Sequence, residues 1–264
     1  MDDYYATVLR KLLDRNVMTR DMRILVLCGG RLDAQSLAKT GFKHVTISNL
    51  DVRMPGDENQ YAPFAWSFQD AENITYLDKD FDFCIAHNGL HHCHSPHRAL
   101  LEAYRVVKKG VLVFEPRDNW TTRLGVRLNF GQEYEVAAVF GNDCVFGGVR
   151  NTQIPNYVYR WTEREVQKTV CSYAPAGRHE FLFFHALRVP WDRLRAMRNK
   201  LWFVTVVLAY PFLKLATWLV PKQCNSFAFA VIKPRIPEDL HPWILQQNGE
   251  LKVNQAWLKQ RYSN

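Results

Sequence analysis

From Asp21 the chain alternates short, wholly apolar runs with longer stretches in which apolar residues recur every three to four positions. Arg23 to Leu27 (RILVL), His44 to Ser48 (HVTIS), a run around Ala65 to Phe68, Asp82 to Ala86 (DFCIA) and Val111 to Phe114 (VLVF) read as strands. Leu32 to Thr40 and Pro96 to Lys108 read as helices. The first has Leu32, Ala34, Leu37 and Ala38 as inner positions, and Gly41 stops it. Strands apolar at every position are covered on both faces, and strand–helix alternation makes them parallel. The pattern therefore predicts an α/β fold, a doubly wound, mostly parallel sheet. A short amphipathic helix with Tyr5, Val8, Leu9, Leu12 and Leu13 along one stripe precedes it.

After Glu115 the alternation stops until Thr162. This aromatic and glycine-rich segment, 120–160, includes Phe130, Tyr134, Tyr157 and Tyr159, and suits an active-site cover better than a linker. Thr162-Glu163-Arg164-Glu165 is a capping box that opens a helix to about Cys171. Glu180 to Leu187 and Ser226 to Ile232 complete seven strands, with a helical insertion over 188–222 between the last two. One domain over 1–235 is expected, followed by a polar tail over 236–264.

Lys and Arg number 34 against 26 Asp and Glu, a net charge of +8 that suits an anionic partner. The basic residues are spread rather than clustered with stacking aromatics, so nucleic acid is not expected. Six cysteines without a CxxC pair read as reduced thiols in a cytoplasm-like compartment.

In an open α/β sheet, ligands bind beyond the carboxyl ends of the strands, which directs attention to the residues after each run. Cys28-Gly29-Gly30 lets the backbone approach a ligand beside a helix N-terminus, although a ligand-free tight turn has the same letters. Asn49-Leu50-Asp51 offers an acid for ribose hydroxyls, or an ordinary polar turn. Asp70, before Ala71, would hold an adenine amino group or cap a turn.

Taken together, and above all across FDFCIAHNGLHHCHSPHRALLEAYRVVKKGVLVFEPRDN from Phe81 to Asn119, the sequence resembles class I S-adenosylmethionine-dependent methyltransferases of the small-molecule and sugar group. Asp82, Gly89, Leu90, His91, His92, Pro96, Glu102, Arg105, Gly110, Glu115 and Pro116 all stand where that family's pattern has them. The resemblance implies a seven-stranded Rossmann-like fold and S-adenosylmethionine as cofactor, lying over Cys28, Gly29, Gly30, Asn49, Asp51, Asp70, Ala71, His87 and Asn88. It also places the loop from His87 beside the transferred methyl, where His91 or His92 would take a proton from an acceptor hydroxyl. The first glycine motif departs from the family: Leu25 to Arg31 reads LVLCGGR, without its acid, and Asn49 replaces the acid expected after the second strand.

Glu115 or Asp118 would orient substrate hydroxyls, Arg117 would pair with a substrate anion, and Tyr134 and Tyr157 would line the acceptor side. The histidines around His91 invite a zinc reading. No metal site is expected, because no second His/Cys pair stands at a recognisable spacing. Trp191 to Lys200 is basic, and Leu201 to Val220 is apolar apart from Lys214. Its length just suffices to span a membrane, but Pro211, Lys214 and the need to return to the sheet argue against spanning. Two readings stay open: a buried pair of helices roofing the substrate, which is preferred, or a patch resting on an anionic membrane at its inner face.

The function expected is methyl transfer to a small-molecule, sugar or lipid-linked acceptor, at oxygen. The competitors are a non-catalytic binding protein on the same fold, supported by the degenerate first motif, and a nicotinamide-dependent oxidoreductase, which lacks its GxGxxG.

Overall fold

The computed structural model describes residues 2–51, 58–189, 191–196 and 200–263. Seven strands form one sheet: β1 (Arg23–Leu27), β2 (His44–Asn49), β3 (Ala65–Phe68), β4 (Phe81–His87), β5 (Val107–Pro116), β6 (Glu180–Ala186) and β7 (Ser226–Ile232). Their order is β3-β2-β1-β4-β5-β7-β6, with β7 antiparallel to both neighbours and the other pairings parallel. The strand order reverses between β1 and β4, which creates the crevice where such sheets bind ligands. This is the doubly wound, mostly parallel architecture that the apolar runs predict.

Each strand feeds two cores, because side chains alternate across the sheet. Leu25 and Leu27 of β1 join one cluster with Leu100, Ala103, Val166 and Val170, from α3 (Pro96–Arg105) and α6 (Glu163–Tyr173). Ile24 and Val26 join the other, with Tyr5, Leu9, Leu12 and Leu37 from α1 (Asp2–Asp14) and α2 (Arg31–Thr40). Burying a Leu-sized side chain contributes roughly 1.5–3 kcal/mol, so Leu9 and Leu12 alone firmly anchor α1. The Thr162–Glu165 capping box that opens α6 is present.

Four expectations need correction. Leu32 is half exposed and its neighbour Asp33 is buried instead, because the Asp33 carboxylate accepts the Gly30 N–H at 2.9 Å and turns that face of α2 inward. Helix α3 ends at Arg105 rather than Lys108, since Val107 already pairs with Phe81 as the first residue of β5. The segment 236–264 is more than a polar tail. It holds a hairpin of β8 (Ile244–Gln247) and β9 (Glu250–Val253) around Asn248-Gly249, both at positive φ, and then α9 (Gln255–Tyr262).

The fourth concerns the insertion. It contains α7 (Trp191–Ala196) and one long helix, α8 (Leu201–Leu219); residues 190 and 197–199 of it lie outside the described residues. No residue of α8 is buried, so the preferred buried roof is not what the chain builds. Trp202 meets Phe130 at 5.0 Å between ring centroids, and Trp191 meets Tyr210 at 5.3 Å, but Leu208, Phe212 and Trp218 face outward.

Candidate active site

A pocket of about 280 Å³ opens at the switch point, near the lower end for small-molecule sites. Its floor is the β1–α2 turn. Gly29 donates its N–H to Ser48 O at 2.8 Å, and a Cβ there would lie 2.8 Å from Val26 Cγ1 and 3.0 Å from Ile47 Cγ2, so only glycine fits. Cys28 beside it sits at φ 53, in the left-handed region.

Of the residues expected to hold the cofactor, Cys28, Gly29, Asn49, Asp51, Asp70, Ala71 and Asn88 line this pocket. Gly30 and His87 do not. Gly30 caps α2, and His87 stacks on Tyr5 with its Nδ1 at 3.4 Å from Asp33 Oδ1. Asn49, in the place of the family's acid, acts as a clasp between strand ends: its amide donates to Gly29 O at 2.8 Å and Tyr61 Oη at 3.1 Å, and its oxygen accepts from Asp51 N and Trp66 Nε1.

The wall opposite is the loop after β4. Glu115, 2% exposed at the end of β5, organises it. Its Oε1 accepts the N–H groups of Gly89 and Leu90 at 3.0 and 2.8 Å, and its Oε2 lies 2.5 Å from His91 Nδ1. Glu115 is therefore fully engaged within the protein, on the loop that carries the histidines. Burial alone would push the His91 pKa down, but the Glu115 and Glu135 carboxylates outweigh it and raise it to about 10. Neighbouring His92 is pushed down by burial and by the charge on His91.

The two histidines, both expected to act on the acceptor, thus differ. His91 is buried behind the loop, whereas His92 is half-buried and lines the pocket. Both Nε2 atoms turn to Glu135 Oε2, at 3.5 and 3.2 Å. Glu135 comes from the cover just before α5 (Val136–Phe140), and its carboxyl is held down at about 2: burial opposes ionisation, and His91 with His92 more than compensates.

The cover leaves the sheet at Arg117 and returns at Trp161, where the two residues pair, with α4 (Trp120–Arg127) at its start. It reaches the cofactor pocket as well as the acceptor side. Gly147, Gly148, Arg150 and Asn151 complete the pocket's rim, and the Arg150 guanidinium spans to Asp70 at 2.8 Å and Glu72 at 3.4 Å. Gln69, Glu72, Gly148, Arg150 and Glu135 are site residues that the sequence did not single out. Those in the cover stand in no recognisable spacing to the strands.

The residues expected at the acceptor are scattered. Arg117 is buried, paired with Glu163 at 2.6 Å and donating to Lys222 O at 2.8 Å. Asp118 pairs with Arg123 at 2.6 Å, and with Tyr157 it lines a second, polar cavity of about 520 Å³ beside α4. Tyr134 and Tyr157 bridge each other edge to face at 5.4 Å, both half exposed.

Comparison with known proteins agrees with this geometry. Residues 25–114, from β1 through most of β5, match the family described as "Methyltransferase domain". No curated protein matches the sequence. Among solved structures, the methyltransferase of an activator–methyltransferase complex from Haloferax volcanii is 10% identical, with 88% of this chain and 96% of that one covered and a TM-score of 0.50. An S-adenosylmethionine-dependent methyltransferase of Thermotoga maritima is 14% identical over 85% of this chain and 88% of its own, with a TM-score of 0.48. The magnesium protoporphyrin IX methyltransferase of Synechocystis, with bound S-adenosylhomocysteine, is 12% identical over 88% and 83%, with a TM-score of 0.49. At 10% identity the likeness to the Haloferax protein concerns the fold alone. The matched segment carries a methyltransferase domain whose cofactor is S-adenosylmethionine, and the glycine-floored pocket at the switch point has the place and the lining to hold it.

Proposed function

We propose that this chain, which carries an S-adenosylmethionine-dependent methyltransferase domain, methylates a hydroxyl oxygen of a lipid-linked acceptor presented at an anionic membrane surface. The bound cofactor supplies an electrophilic methyl on a sulfonium, which departs to leave a neutral thioether. The protein's share is mainly positioning, which alone is worth several kcal/mol of barrier. Gly29 and Asp70 would fix one end of the cofactor, and the Glu115-held loop at Gly89 to His92 would fix where the methyl meets the acceptor. His92 and Glu135 stand where that loop and the cover meet.

Helix α8 carries the choice of acceptor. A helix apolar on all sides belongs in a protein core or in lipid, and α8 has no core around it. Segment 188–222 holds seven Lys or Arg and one acid, Asp192, which suits anionic headgroups. Trp202, Tyr210 and Trp218 are residues of the membrane interface. Chain length argues against spanning. From Leu219 to Ser226, where β7 pairs with Ala186, seven residues reach at most about 25 Å, short of the ~30 Å hydrocarbon core. Cys224 O is moreover held by Asn119 Nδ2 at 2.6 Å. Helix α8 would therefore lie in the plane of the interface, its Trp202 contact with Phe130 linking it to the cover. The fold is consistent with a cytoplasmic setting, and this reading places the protein peripherally on the inner face.

The test supplies methyl-labelled S-adenosylmethionine with membrane extract in anionic vesicles, or with the water-soluble extract. The expected result is label in the organic phase, reduced at least tenfold by Phe212→Lys with Trp218→Lys. Label confined to the water-soluble fraction, or insensitive to the α8 changes, would contradict the proposal.

A further inference from the structure

We propose that His91, His92 and Glu135 form a binding site for one divalent transition-metal ion of the zinc class. One ligand atom from each residue lies within 4.8 Å of the other two. Glu135 Oε2 stands 3.5 Å from one nitrogen and 3.2 Å from the other. Those separations exceed the ~2.7–2.9 Å of a charge-assisted hydrogen bond between such groups. Two donors that each sit about 2.0–2.1 Å from a tetrahedral zinc are about 3.3 Å apart, which matches the spacing of Glu135 Oε2 from each nitrogen.

The surroundings orient the rings for this task. A ligating histidine hands its other nitrogen to a carboxylate or a carbonyl, which fixes the tautomer and aims the free nitrogen. His91 Nδ1 meets the buried Glu115 carboxylate at 2.5 Å, and His92 Nδ1 meets Gly148 O at 3.4 Å. Both Nε2 atoms are thereby left for the shared point. Glu135 is steadied by Asn156 Nδ2 at 3.3 Å, which also holds His91 O at 3.2 Å. Asn156 is buried, and its Oδ1 has no partner among the described residues, so a donor such as a metal-bound water would satisfy it.

Two imidazoles and one carboxylate, with a position left open, match catalytic rather than structural zinc, and also suit iron(II). His92 and Glu135 are part-exposed, and His92 lines the cofactor pocket, so an ion held here would lie beside that pocket. On the reading proposed above, an acceptor hydroxyl bound there would ionise more readily and be aimed at the methyl. The binding itself does not depend on that reading.

The test uses full-length protein stripped with chelator, titrated with Zn²⁺ by calorimetry and with Co²⁺ by visible absorption. Wild type should bind one equivalent, with the d–d bands of a four- or five-coordinate site. Glu135→Gln and His92→Ala, both at part-exposed positions that the fold tolerates, should each weaken binding at least a hundredfold, and Glu115→Gln about tenfold. His94→Ala and His241→Ala should change nothing. Absence of a saturable single site in wild type, or unchanged affinity in both Glu135→Gln and His92→Ala, would overturn the proposal. S-adenosylhomocysteine affinity on the same samples reports separately on the methyltransferase reading.

Discussion

Glu115→Gln isolates the residue on which the active-site loop depends. The change keeps shape and volume in a site that is 2% exposed. The glutamine oxygen can still accept the Gly89 and Leu90 N–H groups, but both bonds lose their charge assistance. The amide nitrogen then faces His91 Nδ1, so the 2.5 Å contact becomes donor against donor until His91 gives up that proton. Hydrogen bonds to charged groups contribute about 1.5–3 kcal/mol each where neutral ones contribute about 1, so the total loss is about 3 kcal/mol. At roughly 2–4 °C per kcal/mol for a chain of this size, Tm should fall by about 6–12 °C. Thermal and urea unfolding by circular dichroism, in chelator to remove any metal, reads this directly. Affinity for S-adenosylhomocysteine should fall with it, because Asn88, Gly89 and His92 wall the pocket. A Tm shift below about 2 °C with unchanged affinity would refute the argument that Glu115 holds the loop.

Gly89→Ala would place a Cβ 2.3 Å from Cys28 Cβ and 3.1 Å from its Sγ, so two pocket walls must part. A loss of about 1–3 kcal/mol in urea unfolding and more than tenfold in cofactor affinity is expected, and wild-type values would contradict it. Arg117→Met strips the cation from Glu163, which has 17% side-chain exposure, and should cost about 3–5 kcal/mol, visible as a lower urea midpoint. Burial pushes the Glu163 carboxyl up, but Arg117 and His185 more than offset it and hold it below its usual range. Its contribution is thus present above about pH 4.3 and lost as pH falls through the lower folded value, so Glu163→Gln should flatten the acid side of a Tm-against-pH curve. Arg150→Ala should leave Tm nearly unchanged, since its pairs are partly solvated, yet speed S-adenosylhomocysteine dissociation about tenfold in stopped flow. An unaltered off-rate would show that Arg150 does not close the pocket.

The sheet was legible because the central strands β1, β4, β5 and β7 are built on apolar runs, and the pocket's position because Gly29, Asp51 and Asp70 follow strand ends. What escaped depends on contacts distant in sequence. Glu115 reads as a polar residue at a strand end, and only the fold shows it bonded to the loop of Gly89 to His91. Glu135 is one acid among glycines and aromatics until the cover folds it onto His91 and His92. Arg117 and Asp118 look like a substrate clamp, yet their partners Glu163 and Arg123 are internal. The hairpin at Asn248-Gly249 is different, because its turn signal stands in the sequence. The apolar letters of α8 fit a roof and a membrane patch equally, since burial depends on what else packs nearby.

The pocket floored by Cys28 and Gly29 is expected to bind S-adenosylmethionine although it lacks the acid usual in such methyltransferases. Calorimetric titration of the purified protein with S-adenosylmethionine and S-adenosylhomocysteine, with NADH as control, tests it most directly. Saturable one-to-one binding of both sulfur ligands, abolished by a bulky side chain at Gly29 and absent for NADH, is the predicted result. No binding of either sulfur ligand by correctly folded protein would contradict the account and leave a methyltransferase fold without its cofactor.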